Sequence, residues 1–292
     1  MKLIITIPAY NEERTLPRVI QEIKEVLAGE KYSYDILVLD DGSKDKTAEA
    51  ARKEGAIVVS HKRNKGLAET FKSEMKECLR LNADIIIHTD ADGQYNPRHI
   101  PEMIQKVEQG YDLVLGSRFR RKNGPMPFLK RIGNIAFAKV LSQLSKVKIT
   151  DTTTGFRCFT AEVAREIDYI NTFTYTQEQI IKAAKQGFRI TEIPITARRT
   201  RESRLFKNPV EYAIKAWTNI FRIYRDYQPL TFFGRIGGFF LVVGLLVGVW
   251  LVQRFVRYGY VGRIPSMILS LLLILIGIQI ILFGFLADML KK

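Results

Sequence analysis

The sequence has little cysteine and histidine, with 2 cysteines and 3 histidines among its 292 residues. Cys78 and Cys158 stand alone, without the paired spacing of a zinc site. This pattern excludes a disulfide-stapled secreted domain and predicts two free structural thiols in a reducing compartment. His61, His88 and His99 are too widely spaced to predict a metal trio, and His88, inside an apolar run, is expected to be packed or hydrogen-bonded.

The chain is also short of acidic residues, with 30 Asp and Glu against 45 Lys and Arg and a net charge of +15. The imbalance is strongest from 113 to 150, where nine basic residues occur with no acidic one. A basic patch of this kind is typical of proteins that bind nucleic acid and of proteins that bind anionic lipid head groups. Charge alone leaves both possibilities open.

The last 60 or so residues are almost all apolar. Between 232 and 252 the only charge is Arg235, and between 264 and 287 there is none. At about 1.5 Å of rise per residue, each stretch can cross a hydrocarbon core of about 30 Å. Two buried helices of a soluble core are the alternative, but such helices seldom lack a polar face over this length. The sequence therefore predicts a hairpin of two membrane spans, with 253–263 as the turn.

The distribution of basic residues favours an integral membrane protein whose first 230 residues lie on the cytoplasmic face. Basic residues before and at the start of the first span outnumber those in the turn. The former are Lys207, Lys215, Arg222, Arg225 and Arg235, and the latter are Arg254, Arg257 and Arg263. The opening residues MKLIITIPAY carry one lysine and a short apolar run, so a first strand is expected there and not a signal peptide.

Strand-like apolar runs alternate with helical patterns through the first two hundred residues. From 15 to 27, for example, apolar residues recur at a spacing of three to four: Leu16, Val19, Ile20, Ile23 and Leu27. This alternation predicts an α/β fold, with a mostly parallel sheet covered by helices on both faces. In such sheets ligands bind beyond the carboxyl ends of the strands.

Acidic residues occur where the predicted strands end, which is where ligands are expected to bind. Asp40 and Asp41 end one apolar run, and Asp90 and Asp92 follow another, with Gln94 two residues further on. Two carboxylates and an amide oxygen in a tight turn at Gly93 form a hard oxygen site suited to Mg²⁺ or Mn²⁺. The alternative is a solvated, Asp-rich turn that caps the next helix.

Three motifs together resemble the GT-A catalytic domain of the family 2 glycosyltransferases. They are PAYNEE (8 to 13), LDDGSKDKT (39 to 47) and DADGQ (90 to 94). Further segments resemble the branch that transfers a sugar from a nucleotide to a polyprenyl phosphate, the dolichyl-phosphate mannose or glucose synthase type. They are LGSR (115 to 118), DTTTGFRCF (151 to 159) and EQIIKAAKQGFRITEIPI (178 to 195). The resemblance covers about residues 1 to 230.

The resemblance implies a binding site for a GDP- or UDP-sugar. The residues that would cradle the nucleoside are Pro8, Tyr10 and Glu12, with Asp40 on the base or ribose and Asp41 close by. An aromatic ring offers a stacking face to a base, and a carboxylate accepts from base or ribose donors.

The donor diphosphate would face Asp90 and Asp92, with Asp92 holding Mg²⁺ or Mn²⁺ and Gln94 as a further ligand. Arg201 and Arg204 are expected to reach the same diphosphate. The family usually has a glycine in this Arg-x-x-Ser-Lys motif, whereas this chain reads Arg-Glu-Ser-Arg from 201 to 204. Attraction of this basic stretch to the membrane surface is the alternative.

For the acceptor, the resemblance places Arg118 with Lys130 or Arg131 around the phosphate of a polyprenyl lipid. The basic stretch follows the donor site directly and the chain ends in apolar spans, so membrane lipid, and not nucleic acid, is the expected partner. A lipid phosphate is already an anion near neutral pH, and no strong base is needed to activate it. Glu178 aligns with an acidic residue of GT-A relatives and is expected to position the acceptor rather than abstract a proton. Asp151 is expected to orient the acceptor pocket or to form a buried ion pair with Arg157.

The predicted organisation is a catalytic domain over 1–206, amphipathic interface helices over 207–230 and a transmembrane hairpin over 231–292. The predicted reaction is metal-dependent, inverting transfer of mannose, glucose or N-acetylglucosamine to a polyprenyl phosphate. A family 2 enzyme acting on a growing polysaccharide or a lipid-linked glycan is the alternative, although the Gln-x-x-Arg-Trp motif of processive synthases is absent. A sugar-phosphate nucleotidyltransferase would open with a glycine-rich loop that this sequence lacks. A catalytically inactive lipid-binding scaffold also stays open, as does self-association into a homo-oligomer.

Overall fold

The computed structural model describes most of the chain. The described residues are 1–119, 138, 142, 148–169, 175–198, 218, 222, 225, 228–260 and 264–290. They divide into two compact units, Met1–Leu205 and Phe206–Lys292, and each unit is described by itself. The predicted interface helices at 207–230 fall almost wholly outside the described residues.

A seven-stranded mixed sheet forms the centre of the first unit, in the order β3-β2-β1-β4-β6-β5-β7. The strands are β1 (Lys2–Ala9), β2 (Ser33–Asp40), β3 (Ile57–Ser60), β4 (Ile85–His88), β5 (Leu113–Ser117), β6 (Arg157–Thr160) and β7 (Ile190–Pro194). Pairings among β1 to β4 are parallel, as is that of β5 with β7, and β6 runs antiparallel to β4 and β5. The predicted mostly parallel sheet is confirmed.

Helices cover both faces of this sheet. They are α1 (Leu16–Leu27), α2 (Thr47–Lys53), α3 (Leu67–Arg80), α4 (Ile100–Glu108), α5 (Ala161–Glu166) and α6 (Thr176–Lys185), with a short 3-10 turn at Pro97–His99. One buried cluster joins α1 and α4 to the sheet, and a second joins α3, α5 and α6 to its other face. The five apolar positions whose spacing predicts the first helix are the buried residues of α1. Cys78 and Cys158 are free and buried, as expected.

The topology brings three strand ends to one edge of the sheet. Strand β1 lies between β2 and β4, and all three run in the same direction. Their carboxyl ends are Ala9, Asp40 and His88, so the segments that follow them meet at a single edge. The antiparallel strand β6 begins at that edge because Arg157, its first residue, pairs with His88. The loop that precedes β6 therefore enters the same region.

The second unit contains two helices long and apolar enough to cross a membrane, α7 (Pro229–Tyr258) and α8 (Ile264–Met289). Helix α7 continues through Gln253–Tyr258, so the turn is shorter than the sequence predicts. Glycines let the two helices approach closely. A Cβ on Gly237 would lie 2.6 Å from the Gly277 carbonyl oxygen, and a Cβ on Gly277 would lie 2.7 Å from the Leu241 nitrogen.

Gly42 is required at the turn after β2 for two reasons. Its φ of +71° lies in the left-handed region, and a Cβ there would come within 2.6 Å of the Arg63 backbone. Gly55 has nearly the same φ, +72°, but a Cβ there would meet only the end of the Lys24 side chain, at 3.5 Å. The two positions therefore separate the effect of backbone conformation from that of the steric clash.

We expect Gly42→Ala to destabilise the first unit by more than the roughly 1–2 kcal/mol of a left-handed alanine, because the backbone at Arg63 must also shift. Gly55→Ala, the matched control, should cost only the conformational part. Chemical denaturation of the two variants beside the wild-type protein measures the difference. Equal losses of stability would show that no clash exists at Gly42.

Candidate active site

Side chains from three neighbouring strands meet at the carboxyl edge of the sheet. Tyr10 follows β1, Asp40 ends β2 and Asp90 lies two residues beyond β4. Tyr10 is 36% exposed, whereas Glu12 is buried. Pro8, within β1, is half-buried beside them. The structure thus groups the residues expected to contact a nucleoside.

Hydrogen bonds tie the loop after β1 to the loop after β2. Asn11 adopts a left-handed conformation, with φ of +55°, which directs its backbone and side chain towards the second loop. The bonds are Asn11 N to Ser43 Oγ (2.9 Å), Lys44 N to Asn11 Oδ1 (2.8 Å), Glu12 N to Thr47 Oγ1 (2.8 Å) and Lys46 N to Glu13 Oε2 (2.9 Å). The two motifs PAYNEE and LDDGSKDKT therefore form one cross-linked unit.

The adjacent carboxylates Asp40 and Asp41 point to different partners. Asp40 accepts a hydrogen bond from Ser43 N at 3.0 Å within its own turn. Asp41 accepts from the backbone nitrogens of Lys65 and Gly66, both at 2.9 Å, and its Oδ1 lies 2.7 Å from His61 Nδ1. Both oxygens of Asp41 thus hold the loop after β3.

Asp90 has the chemistry of a cation ligand. In the described part of the chain no hydrogen bond reaches its carboxylate, while burial raises its pKa to about 6 and the charge of Asp92 adds to the rise. A carboxylate in this condition is stabilised by a nearby cation. Asp92 Oδ1 accepts from the backbone nitrogen of Gln94 at 2.9 Å, which closes the turn that carries the three predicted ligands.

A complete metal cage is not present among the residues that the structure describes, where no group of three or more His, Cys, Asp and Glu side chains could hold an ion. Two carboxylates with one amide oxygen leave coordination positions for other oxygens. Mg²⁺ typically binds in this way, with one or two carboxylates and substrate phosphates. The residues present therefore fit a divalent cation that is shared with a phosphate ligand.

Arg118 follows β5 and is held by Asp151 in a two-pronged ion pair. Arg118 Nε lies 2.7 Å from Asp151 Oδ2, and Nη2 lies 3.0 Å from Oδ1 and 2.8 Å from Thr153 Oγ1. Glu192 anchors the start of this loop by accepting from the backbone nitrogens of Thr150 at 2.8 Å and Asp151 at 3.0 Å. Asp151 thus orients Arg118, and the alternative prediction, a buried ion pair of Asp151 with Arg157, is not found in the described part of the structure.

Arg118 and Asp90 belong to one electrostatic site. Burial lowers the pKa of Arg118, but Tyr95 and the carboxylates of Asp151 and Asp90 outweigh it, so the pKa is raised overall. The charge of Arg118 in turn lowers the pKa of Asp90. The guanidinium therefore stays charged, with Nη1 not hydrogen-bonded within the described residues, and it can donate to an anion beside the acidic turn.

Two further residues of the first unit have mainly structural contacts. Glu178, in the first turn of α6, forms an ion pair with Lys182 at 2.9 Å, which fits a positioning role better than proton abstraction. Arg157 is fully buried and donates to the carbonyl oxygens of Thr154 at 2.9 Å and Thr176 at 2.8 Å. Burial lowers its pKa.

Four residues expected at the site lie outside the described residues. They are the acceptor candidates Lys130 and Arg131 and the donor candidates Arg201 and Arg204. Sequence reasoning missed Glu192 and His61 as supporting residues of the two flanking loops. No sequence signal marks either of them, because each acts on a partner that is distant in the chain.

Comparison with known proteins identifies relatives over both units. The family model for Glycosyl transferase family 2 matches residues 4–168, and that for the Glycosyltransferase family 2 C-terminal transmembrane region matches residues 212–291. A dolichyl-phosphate hexose transferase of Haloferax volcanii is 32% identical over 204 residues, which are 70% of this chain and 86% of that protein. A UDP-N-acetylglucosamine–dolichyl-phosphate N-acetylglucosaminyltransferase of Methanococcus voltae is 29% identical over 66% of this chain and 85% of that one.

Among solved structures, a glucosyl-3-phosphoglycerate synthase from Mycobacterium tuberculosis, in complex with Mn²⁺ and uridine-diphosphate-glucose, is similar to this chain. The TM-score is 0.59 at 19% sequence identity, covering 76% of this chain and 78% of that one. This likeness confirms the predicted GT-A fold. The match to the C-terminal region, together with α7 and α8, indicates an integral membrane protein.

Asp92→Asn is expected to weaken Mn²⁺ binding at least about tenfold, because even changes beyond the direct ligands of a metal site commonly cost that much. Asp35→Asn is the matched control, since Asp35 lies near the start of β2 and pairs with Lys2 at 3.1 Å. Titration of Mn²⁺ in the presence of UDP or GDP, followed by electron paramagnetic resonance, measures the affinity. Membrane insertion should be unchanged, and unaltered Mn²⁺ binding by Asp92→Asn would reject the assignment.

Proposed function

The chain belongs to glycosyl transferase family 2 and is a glycosyltransferase, and on that premise we propose that it transfers a hexosyl group from a nucleotide diphosphate sugar to a polyprenyl (dolichyl) phosphate. The observation that supports this acceptor is the proximity of an oriented arginine to the acidic turn. Asp151 fixes Arg118, and the loop that begins at Asp151 reaches Gly155, where a Cβ would lie 2.9 Å from Asp90 Oδ1. One site can thus hold a donor diphosphate and a second phosphate as separate anions.

The nucleotide sugar, GDP- or UDP-linked, binds in the cross-linked pocket of the first two loops in this proposal. The base stacks on Tyr10, while Glu12 and Asp40 contact the nucleoside and Pro8 lines the pocket. Asp41 maintains the pocket through the loop after β3. Arg201 and Arg204 reach the diphosphate from a segment outside the described residues.

Mg²⁺ or Mn²⁺, held by Asp90, Asp92 and Gln94, would neutralise negative charge on the departing diphosphate. The solved structure that contains Mn²⁺ with UDP-glucose supports a divalent cation in this fold. The residues of the chain orient the donor. Asp92 and Gln94 share one turn, closed by the hydrogen bond from Gln94 N to Asp92 Oδ1, so these two predicted ligands are presented to the donor from one short segment.

The acceptor phosphate is an anion near neutral pH, so this reaction needs no general base. Arg118 donates to that phosphate, joined by Lys130 or Arg131, and brings a phosphate oxygen towards the anomeric carbon. Direct attack opposite the departing diphosphate inverts the anomeric configuration. Glu178 has a positioning role in this scheme, consistent with its ion pair to Lys182.

The proposal extends to the arrangement of the chain. The catalytic domain (1–206) faces the cytoplasm, the segment 207–230 lies in the membrane interface, and 231–292 anchors the enzyme as a two-span hairpin. Membrane lipids are the proposed surroundings, with no nucleic acid partner. A possible homo-oligomer, a glycan acceptor other than a lipid phosphate and an inactive lipid-binding scaffold are outcomes that experiment can distinguish.

The function is tested by offering membranes that contain the protein radiolabelled GDP-mannose, UDP-glucose or UDP-N-acetylglucosamine together with a polyprenyl phosphate. We expect one label to enter the organic phase as a lipid-linked sugar, and membranes with Asp92→Asn to give background counts. Label in a polymer would favour a glycan acceptor. No transfer of any label, with lipid binding retained, would favour the scaffold.

Arg118→Lys is expected to raise the KM for the polyprenyl phosphate about tenfold or more, because a lysine cannot keep the two-pronged pair with Asp151 while donating to a phosphate. The KM for the nucleotide sugar should change little. Arg80→Lys is the control, since Arg80 forms a surface ion pair with Glu77. Initial-rate measurements with each substrate varied in turn separate the effects, and an unchanged KM for the lipid would reject Arg118 as its ligand.

A further inference from the structure

A buried polar cluster beneath the acidic turn has no part in the mechanism described so far. His88, the last residue of β4, and Glu74, on α3, are both fully buried. Their closest atoms, His88 Nε2 and Glu74 Oε2, are 3.3 Å apart. Glu74 Oε1 also accepts a hydrogen bond from Thr6 Oγ1, on β1, at 2.7 Å.

This pair is an unexpected feature for the interior of the domain. Burying two ionisable groups carries a desolvation cost, and a well-packed apolar pair of similar volume is often equally or more stable. What the pair provides is a fixed orientation of the His88 ring, which also contacts the rings of Phe71 and Tyr175 at centroid distances of 5.2 and 5.3 Å. The position of the other ring nitrogen is thereby set.

That other nitrogen holds a backbone carbonyl. His88 Nδ1 lies 2.7 Å from the carbonyl oxygen of Gly155, and because a carbonyl only accepts, Nδ1 donates. On the opposite side of the same residue, Gly155 N donates to the Tyr95 hydroxyl at 3.0 Å. Tyr95 is itself held by stacking on Phe156, with ring centroids 5.3 Å apart. Both polar groups of the Gly155 backbone are therefore fixed by side chains.

Gly155 lies against the carboxylate of Asp90. A Cβ at position 155 would lie 2.9 Å from Asp90 Oδ1 and 3.3 Å from Oδ2, so glycine is needed here for space. Gly155 closes the loop that begins with Asp151, the partner of Arg118. The loop from 151 to 155 therefore contacts the acceptor arginine at one end and the predicted metal ligand at the other.

We propose that His88 and Tyr95 are positioning residues of the metal site, which hold the Gly155 backbone against Asp90 and so fix the orientation of its carboxylate, with Glu74 orienting His88. This inference rests on the proposed function only in taking Asp90 as a ligand of the divalent cation. It requires neither a particular sugar nor a particular acceptor. Supporting residues of this kind commonly contribute 10- to 100-fold to metal affinity.

Two substitutions of His88 separate positioning from packing. In His88→Asn, the amide nitrogen can replace Nδ1 and keep the bond to Gly155, while the contact with Glu74 is lost. In His88→Gln, the amide nitrogen reaches towards Glu74, and the bond to Gly155 is lost. Both variants should be less stable than the wild-type protein, because His88→Asn removes the ion pair with the buried Glu74 carboxylate and His88→Gln removes the donor to the Gly155 carbonyl oxygen. Only His88→Gln should lose metal affinity.

The measurement is Mn²⁺ affinity of the full chain in detergent, by electron paramagnetic resonance with UDP or GDP present, beside thermal unfolding of each variant. We expect His88→Gln to bind Mn²⁺ about 10- to 100-fold more weakly and His88→Asn to stay within about threefold of wild type. Tyr95→Phe, which keeps the stacking but loses the acceptor for Gly155 N, should weaken binding about tenfold. Tyr169→Phe is its matched control, since it removes another buried hydroxyl that accepts from Gln179 at 3.0 Å.

The outcomes distinguish this inference from the proposed function. If wild-type protein binds Mn²⁺ and both His88→Gln and Tyr95→Phe bind it equally well, the inference is wrong while the function stands. Equal losses of Mn²⁺ affinity in His88→Asn and His88→Gln, or in Tyr169→Phe and Tyr95→Phe, would also overturn it. The loss of affinity would then follow from reduced stability alone. If His88→Gln does not fold, the Mn²⁺ affinity of Tyr95→Phe compared with that of Tyr169→Phe tests the inference.

Wild-type protein that binds no Mn²⁺ would reject both the metal role and the inference. Weakened Mn²⁺ binding in His88→Gln and Tyr95→Phe, in a protein that transfers no sugar to lipid, would uphold the inference and reject the acceptor.

Discussion

The candidate site centres on the carboxylate of Asp90, which accepts no hydrogen bond from the residues that the structure describes and whose pKa is raised to about 6 by burial. Burial and Asp92 raise the pKa of the Asp90 carboxyl, while His88 and Arg118 lower it. Such a group is unfavourable in an empty pocket and favourable beside a divalent cation and a phosphate. Three parallel strands, the loop before β6 and the end of β5 all converge on this position.

Much of the fold and part of the site could be predicted from sequence because their signals are local. The spacing of apolar residues in α1 and the long uncharged runs of α7 and α8 depend on neighbours a few positions apart. The acidic motifs could be placed at one sheet edge because parallel strands align their carboxyl ends. The sequence prediction of the turn between the two apolar helices was less accurate, since the arginines near Gln253 do not interrupt α7.

The contacts that orient the site could not be predicted, because they join residues far apart in the chain. Asp151 could have paired with Arg118 or with Arg157 by composition alone, and only the folded position of the two arginines decides between them. His88 was expected to be packed or hydrogen-bonded, and this prediction is confirmed. Its partners Glu74 and Gly155 are 14 and 67 positions away, on a helix and a loop, and no periodicity connects them.

The bonds between the first two loops have a consequence for how the enzyme meets its donor. A loop that becomes ordered only on binding loses conformational entropy at that moment, and the loss weakens affinity. Here Asn11 and its neighbours already hold the loop after β2. If the nucleotide binds at these loops, as we propose, it meets loops that are already cross-linked, and more of its interaction energy is available to hold the sugar for reaction.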